Sequence, residues 1–356
     1  MKMNVLVAAA AAAIIALAGM AASVHAAGAP PAPHVDLLGE LTPYHAAQHV
    51  GGTIRVWGNP YIPGLVKDWE DGFRRLHPDV TFQTTLKGTE AAMAGLYGGI
   101  ADIVFIGREP YAPELQAFEE WFGYPPLGVK ITSGSYATQH KTFALMVYVN
   151  KDNPLAGMSL SQLDAIYGVE RRRGAPAPIT EWGQLGLRGA WTHRPIHVYG
   201  YNFETGMAGF FRLTVMKDSL RWNPALKDFD NGHTPQGEVI NAGTYILDAV
   251  ARDPDGIGFA NVLFENDGVR KIALSEDNGG PLVEPTFENA WRRAWPLTRY
   301  STAFVNRPPG QPLEPNLREF LDYILSRDGM AAVVRDQAFL PLNAETIRAE
   351  RRLLEP

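Results

Sequence analysis

The chain has 356 residues, of which 46% are hydrophobic and 20% charged, with a formal net charge of −6. That composition is that of a globular protein, and the lack of a basic excess argues against a nucleic-acid partner, whose phosphates need a positive face. No cysteine occurs, which excludes disulfides, thiolate metal sites and lipid attachment at a cysteine.

The first elements read as an export signal. Lys2 gives a positive start, Val5 to Met20 an apolar run built mostly of alanine, and Val24-His25-Ala26 a small-residue cleavage site. The run is short for a membrane span, so residues 1–26 are expected to be removed and the mature protein to lie in the periplasm. A leader over residues 27–50 follows, partly disordered, with Pro/Ala-rich Ala27 to Pro33 its least structured part. Roughly 330 mature residues exceed one ordinary core and suggest two lobes.

Structure is expected to begin at Gly52-Thr-Ile-Arg-Val-Trp57, a strand ending at Gly58. Leu65, Val66, Trp69, Phe73 and Leu76 recur at helical spacing until His77-Pro78. Val80 to Thr85 returns to strand, Lys87-Gly88-Thr89 opens a second helix, and Ala101 to Ile106 is a third strand closed by Gly107. Strand, helix, strand, helix, strand is the pattern of a parallel α/β sheet. Phe143 to Val149 reads as a strand near a crossing between lobes, Ser159 to Tyr167 as a serine-capped helix, Ile196 to Tyr199 as a strand, and Met207 to Met216 as a helix. Ile257 to Ala260 and Arg270 to Leu274 are short strands, Ala303 to Val305 a return crossing, and Asn316 to Leu325 a closing helix. No internal repeat is present.

The order of these segments resembles the phosphate-binding proteins of ABC importers, the PstS-like solute-binding family. Gly58 with its helix, Lys87-Gly88-Thr89, Ala101-Asp102 leading to Gly107-Arg108-Glu109, and Tyr199-Gly200 through Thr205-Gly206 carry the likeness. So do Trp295-Pro-Leu-Thr-Arg299, Phe304 to Gly310, Leu317 to Leu321, Ser326 to Gly329 and Phe339 to Leu342. The resemblance implies an α/β, two-lobed periplasmic-binding-protein fold, each lobe a mostly parallel sheet flanked by helices, with two crossing strands as hinge. Lobe I is expected over residues 51–147 and 299–356 and lobe II over 148–298. It also implies a binding protein, not an enzyme, that delivers phosphate or a related oxyanion to an ABC permease in the inner membrane, as a monomer and without cofactor.

Carried over position by position, the resemblance gives Asn59, Tyr61, Gly88, Thr89, Gly107, Arg108, Tyr201, Thr205 and Gly206 as ligand-binding residues. Loops at the carboxyl ends of parallel strands run into helix N-termini, where free N–H groups favour an anion, and Gly58, Gly88, Gly107 and Gly206 stand at such junctions. Thr89 matches the family's serine, which caps the helix and binds the oxyanion. The family's hydroxyl after the first strand is replaced by Tyr61, its third-loop acidic residue or serine by Gly107, and its lobe-II arginine and last threonine by Tyr201 and Met207. Arg108 is expected as an oxyanion clamp, against a surface arginine paired to Glu109 or Glu114. Glu90, Glu109 or Glu204 could accept a proton from the ligand. The departures keep open a drifted relative that acts as a sensor or interaction protein and binds another ligand or none.

The remaining features carry less. His45, His49, His193 and His197 do not cluster at metal spacing. Arg171-Arg-Arg173 reads as a solvated basic run, with contact to an acidic partner the lesser reading. Ser133-Gly-Ser135 lacks the strand-turn-helix setting of a nucleophile.

Overall fold

The first sheet grows from strands whose burial follows their position. β1 (Gly52–Gly58) buries Ile54 and Val56 and leaves Thr53 exposed, while β3 (Ile103–Ile106) is buried at every residue, as a strand covered on both faces must be. Between them in the chain run α1 (Pro63–Arg74), β2 (Val80–Thr85) and α2 (Thr89–Tyr97). A proline in the first turn, where its missing N–H is harmless, starts α1, and Leu65, Val66, Trp69 and Phe73 form its buried stripe. α3 (Ala112–Phe122) and β4 (Leu127–Ser133) complete this half. The computed structural model describes residues 36–138 and 144–356; the expected signal, Ala27 to Pro33 and Phe143 lie outside them.

The chain then builds a second sheet. β5 (Met146–Asn150) is buried throughout, and β6 (Gly157–Ser159) leads to α4 (Leu160–Tyr167), capped by Ser159 as expected. β7 (His197–Tyr201), α5 (Gly206–Val215) and the short β8 (Lys227–Phe229), β9 (Gly232–His233) and β10 (Val239–Ile240) follow. Next come α6 (Ala242–Arg252), β11 (Gly256–Ala260), β12 (Val269–Lys271), β13 (Ala273–Ser275) and α7 (Phe287–Trp291). β14 (Tyr300–Val305) returns to the first sheet, and α8 (Pro315–Ile324), α9 (Arg327–Asp336) and α10 (Ala344–Leu353) close the chain.

The two five-stranded sheets have the orders β2-β1-β3-β14-β4 and β12-β5-β11-β7-β8. In the first, β1 lies parallel to β2 and β3, and β14 runs antiparallel between β3 and β4. In the second, β7 lies parallel to β11 and β8, while β5 runs antiparallel to β11 and β12. Each sheet has its own core, one around Ile54, Trp69, Phe105 and Phe320, the other around Tyr148, Tyr167, Phe211 and Phe259. The protein is therefore a two-lobed α/β molecule with helices flanking both sheets. Among the described residues no helix is long and apolar enough to cross a membrane.

Three expectations need correction. Packing starts upstream of Gly52, because Leu41, Tyr44 and Val50 are buried in the first core. The strand expected from Arg270 to Leu274 is two strands: Val269–Lys271 pairs with β5, and Ala273–Ser275 pairs with β6. The chain changes sheet partner at buried Ile272, a switch that a run of apolar residues cannot signal. The basic run is a solvated face only at Arg172, which is exposed, while Arg171 and Arg173 are partly buried. Arg173 donates from Nε to Val215 O at 2.8 Å and from Nη2 to Thr214 O at 2.6 Å, and Arg172 donates to Lys217 O at 3.1 Å, so these side chains satisfy carbonyls left open at the end of α5.

Candidate ligand-binding site

A cleft of about 530 Å³ is lined from both lobes, a size within the range of small-molecule sites. Asn59, Tyr61, Gly88, Thr89, Gly107, Arg108, Tyr201, Thr205 and Gly206 all line it, as does Glu90, so the structure brings these expected residues to one place. Glu109 and Glu204 do not line it, and neither does Gly58. A Cβ there would stand 2.8 Å from Phe105 O, so this glycine serves close strand packing and not approach to a ligand.

The helix N-termini at the cleft are not equivalent. At α2, Gly88 is the N-cap, with φ 142°, and its amide donates to Gly58 O at 3.2 Å. Thr89 is the buried first helical residue and does not cap, contrary to the role its family counterpart implied. At α5, Thr205 is the cap: its Oγ1 accepts from Ala208 N at 3.2 Å and donates to Asn202 O at 2.8 Å. The hydroxyl is thus held in place, while the amides of Gly206 and Met207 have no acceptor within the helix. A third N-terminus, that of α6, also reaches the cleft but is sealed. Asn231 Oδ1 accepts from Ala242 N and Asn241 Oδ1 from Gly243 N, both at 2.9 Å. Among the described residues, α1, whose N-cap Ile62 lines the cleft, and α2 carry no cap from the N-cap side chain, and α5 keeps the Gly206 and Met207 amides open, although at α2 the Glu90 carboxylate takes its own amide.

Arg108 is heavily committed. Nη1 donates to Glu109 O at 2.9 Å and Glu114 Oε2 at 2.8 Å, and Nη2 to Glu114 Oε1 at 2.7 Å and Glu90 Oε1 at 3.0 Å. Its guanidinium lies 3.8 Å from the Tyr111 ring centroid. Burial alone would lower its pKa, but the bonds from Glu114 and Glu90 reverse the sign and hold it above the usual value. Glu90 is in turn held below the usual carboxylate range, first by its own backbone N–H and then by Arg108. The surface pairing weighed against the clamp is therefore present, with Glu90 added to Glu114.

Tyr201 is buried and lies inward, not across the cleft. A Cβ at Gly243 would come within 2.7 Å of its hydroxyl, and desolvation pushes the phenol well above its ordinary pKa. Tyr61, 57% exposed, stands at the rim. Asn59 Oδ1 accepts from Tyr61 N at 2.8 Å, which fixes the loop that precedes α1.

Sequence reasoning missed Arg299, Ser301, Asn231 and Asn241 as lining residues. Arg299 stood inside the quoted Trp295-Pro-Leu-Thr-Arg run, yet a lone arginine before a strand gives no sign of its burial. Among the described residues, His197, Asp253 and Asp255 bring possible metal-ligand atoms within 4.8 Å of one another. There Arg194 Nε already pairs with Asp255 at 2.6 Å, which places a cation in competition with any metal.

A family model described as a PBP superfamily domain matches residues 44–328. The phosphate-binding protein PstS of Pseudomonas aeruginosa is 30% identical over 316 residues, covering 88% of this chain and 90% of that protein. Protein SphX of Synechococcus elongatus is 26% identical over 321 residues, covering 89% of this chain and 86% of its own. The crystal structure of PstS from Borrelia burgdorferi superposes with a TM-score of 0.54 at 13% identity, over 82% of this chain and 99% of that one, a likeness of fold.

Proposed function

This chain belongs to the PBP superfamily, among relatives of the PstS type, and from that premise we propose that it is a periplasmic solute-binding protein that captures phosphate or a related oxyanion for ABC-type import. The observation that carries the reading is the convergence of two open helix ends, α2 from one lobe and α5 from the other, on a single cleft. The first amides of each helix have no intrahelical acceptor, although the Glu90 carboxylate takes its own N–H at α2, and a helix dipole adds about 0.3–1 kcal/mol for a nearby anion. Thr89 stands at the first, so a hydroxyl accompanies the amides there, while at the second the Thr205 proton goes to Asn202 O and the amides of Gly206 and Met207 are the donors. Closing the lobes around the ligand would remove water and strengthen every one of these bonds.

Two of the replacements that kept a drifted relative open, Tyr201 and Met207, have structural employment. Tyr201 fills the space under α6, and Met207 Sδ meets Arg299. Delivery to a permease, a monomeric state and residence in the periplasm belong to the same proposal; the name of the PstS relative supports its phosphate-binding part.

Calorimetric titration of the purified protein with phosphate, sulfate and methylphosphonate tests it. Saturable heat with phosphate supports the reading; absence of binding with every oxyanion overturns it.

A further inference from the structure

Two arginines line the cleft, Arg108 and Arg299, and their remaining capacity to bind an anion can be read from their partners. A guanidinium has five N–H donors, two on each terminal nitrogen and one on Nε. Arg108 places both terminal nitrogens against two acceptors each and has two carboxylates, Glu114 and Glu90, around it. A second anion there would meet a locally negative cluster and few donors. Arg299 differs on both counts. Nε and Nη2 donate to one carboxylate, that of Glu109, at 3.3 and 2.6 Å, and Nη1 reaches Met207 Sδ at 3.4 Å. This leaves one N–H on each terminal nitrogen uncommitted among the described residues, with one carboxylate on the guanidinium where Arg108 has two.

Glu109 does not line the cleft. It holds the fork of Arg299 from outside the cavity and so orients the guanidinium without occupying the side a ligand would use. The backbone is braced as well: Arg293 donates from Nη1 to Arg299 O at 2.9 Å and from Nη2 to Thr298 O at 3.0 Å. The Arg299 side chain is only 1% exposed, so its bonds form in a low-dielectric setting where they count for more than at the surface. Two positions on, Ser301 also lines the cleft, and its Oγ is buried with no hydrogen-bond partner among the described residues. Spacing of two along an extended segment sends both side chains to one face. A buried hydroxyl with no partner that borders a cavity is open to a ligand atom or an ordered water.

We propose that Arg299 and Ser301, on the segment that leads into β14, form the floor of the oxyanion site and that Arg299, not Arg108, supplies its positive charge. The assignment rests on the phosphate-type reading above and adds to it the residues that fix specificity. Arg299 also touches α5 through Met207 and the Phe210 ring, 4.9 Å from its centroid, so the anion would be held where the return segment, the first-lobe loop of Glu109 and the second-lobe helix meet.

The test is calorimetric titration of inorganic phosphate into the full protein and three variants. Arg299→Gln with Glu109→Gln removes the pair together, so no carboxylate is stranded. Loss of two charge-assisted bonds should weaken binding by about 100-fold or more. Ser301→Ala breaks no internal bond, should fold normally, and should weaken binding by about five- to tenfold. Arg108→Gln should lose less than the Arg299 double variant. The assignment is overturned if Arg108→Gln loses more, or if the folded double variant binds as the parent does. Should the double variant fail to fold, unchanged affinity in Ser301→Ala overturns it equally. A parent protein that binds no phosphate instead defeats the underlying functional reading, and the assignment falls with it.

Discussion

The Nε2 of His77 lies 2.8 Å from the Tyr44 hydroxyl. Val50 N donates to His77 Nδ1 at 3.4 Å, and the Tyr44 hydroxyl donates to Glu319, so the pattern is complete only with a neutral ring carrying its proton on Nε2. Glu319 also accepts from the Ala47 and Gln48 amides at 3.1 Å. These bonds tie the segment before β1 to α8, which is why that segment is packed.

This arrangement predicts a pH dependence. Burial holds the His77 pKa below its usual value of about 6.5, with Glu319 opposing and His49 assisting the shift. The unfolded chain therefore takes up the proton first as the solution is acidified. The stabilisation is present above about pH 6.5 and is lost as pH falls from there through the folded-state value. Thermal midpoints of the parent and His77→Gln should differ most near pH 7.5 and converge near pH 5.5. An equal gap at both values would contradict the mechanism.

Gly95 on α2 predicts a stability effect against helix propensity. A Cβ at this position would stand 2.8 Å from Trp57 Cε3, so Gly95→Ala must push α2 from β1. Overpacking costs about 1–3 kcal/mol, more than the roughly 1 kcal/mol that alanine gains in a helix. The melting temperature should fall, and phosphate affinity with it, since α2 carries Thr89. A rise in melting temperature would show that Trp57 yields freely.

Arg173 predicts a change in stability with little change in binding. Its two bonds to the end of α5 are lost in Arg173→Met, at a cost of about 2 kcal/mol in urea unfolding. The opposite end of the helix, with Thr205, keeps its cap. An unaltered unfolding midpoint would mean that solvent replaces the arginine without loss.

Much of the fold was legible because its strands and helices carry strong local signals. β1, α1 and β3 follow their apolar pattern, and Ser159 caps α4 as its sequence position suggested. α3 was missed because Phe118 is its one fully buried residue, too little for a period to emerge. α6 does carry a signal, Asn241 before an amphipathic run ending at Arg252. At the site, the family pattern located the cleft residues, since loops at strand ends hold their place in the chain. What it could not give was the state of each side chain. Whether Arg108 or Arg299 has donors to spare depends on Glu90, Glu109 and Glu114, residues whose partners are set by tertiary packing.

The central claim is that one anion is held jointly by the α2 end, the α5 end and the floor between them. A crystal structure of the protein grown with saturating phosphate tests it most directly. The account predicts a single phosphate within hydrogen-bond distance of Thr89 and Thr205 or their helix amides and of Arg299. Phosphate bound outside this cleft, or a cleft without phosphate at saturating concentration, would contradict it.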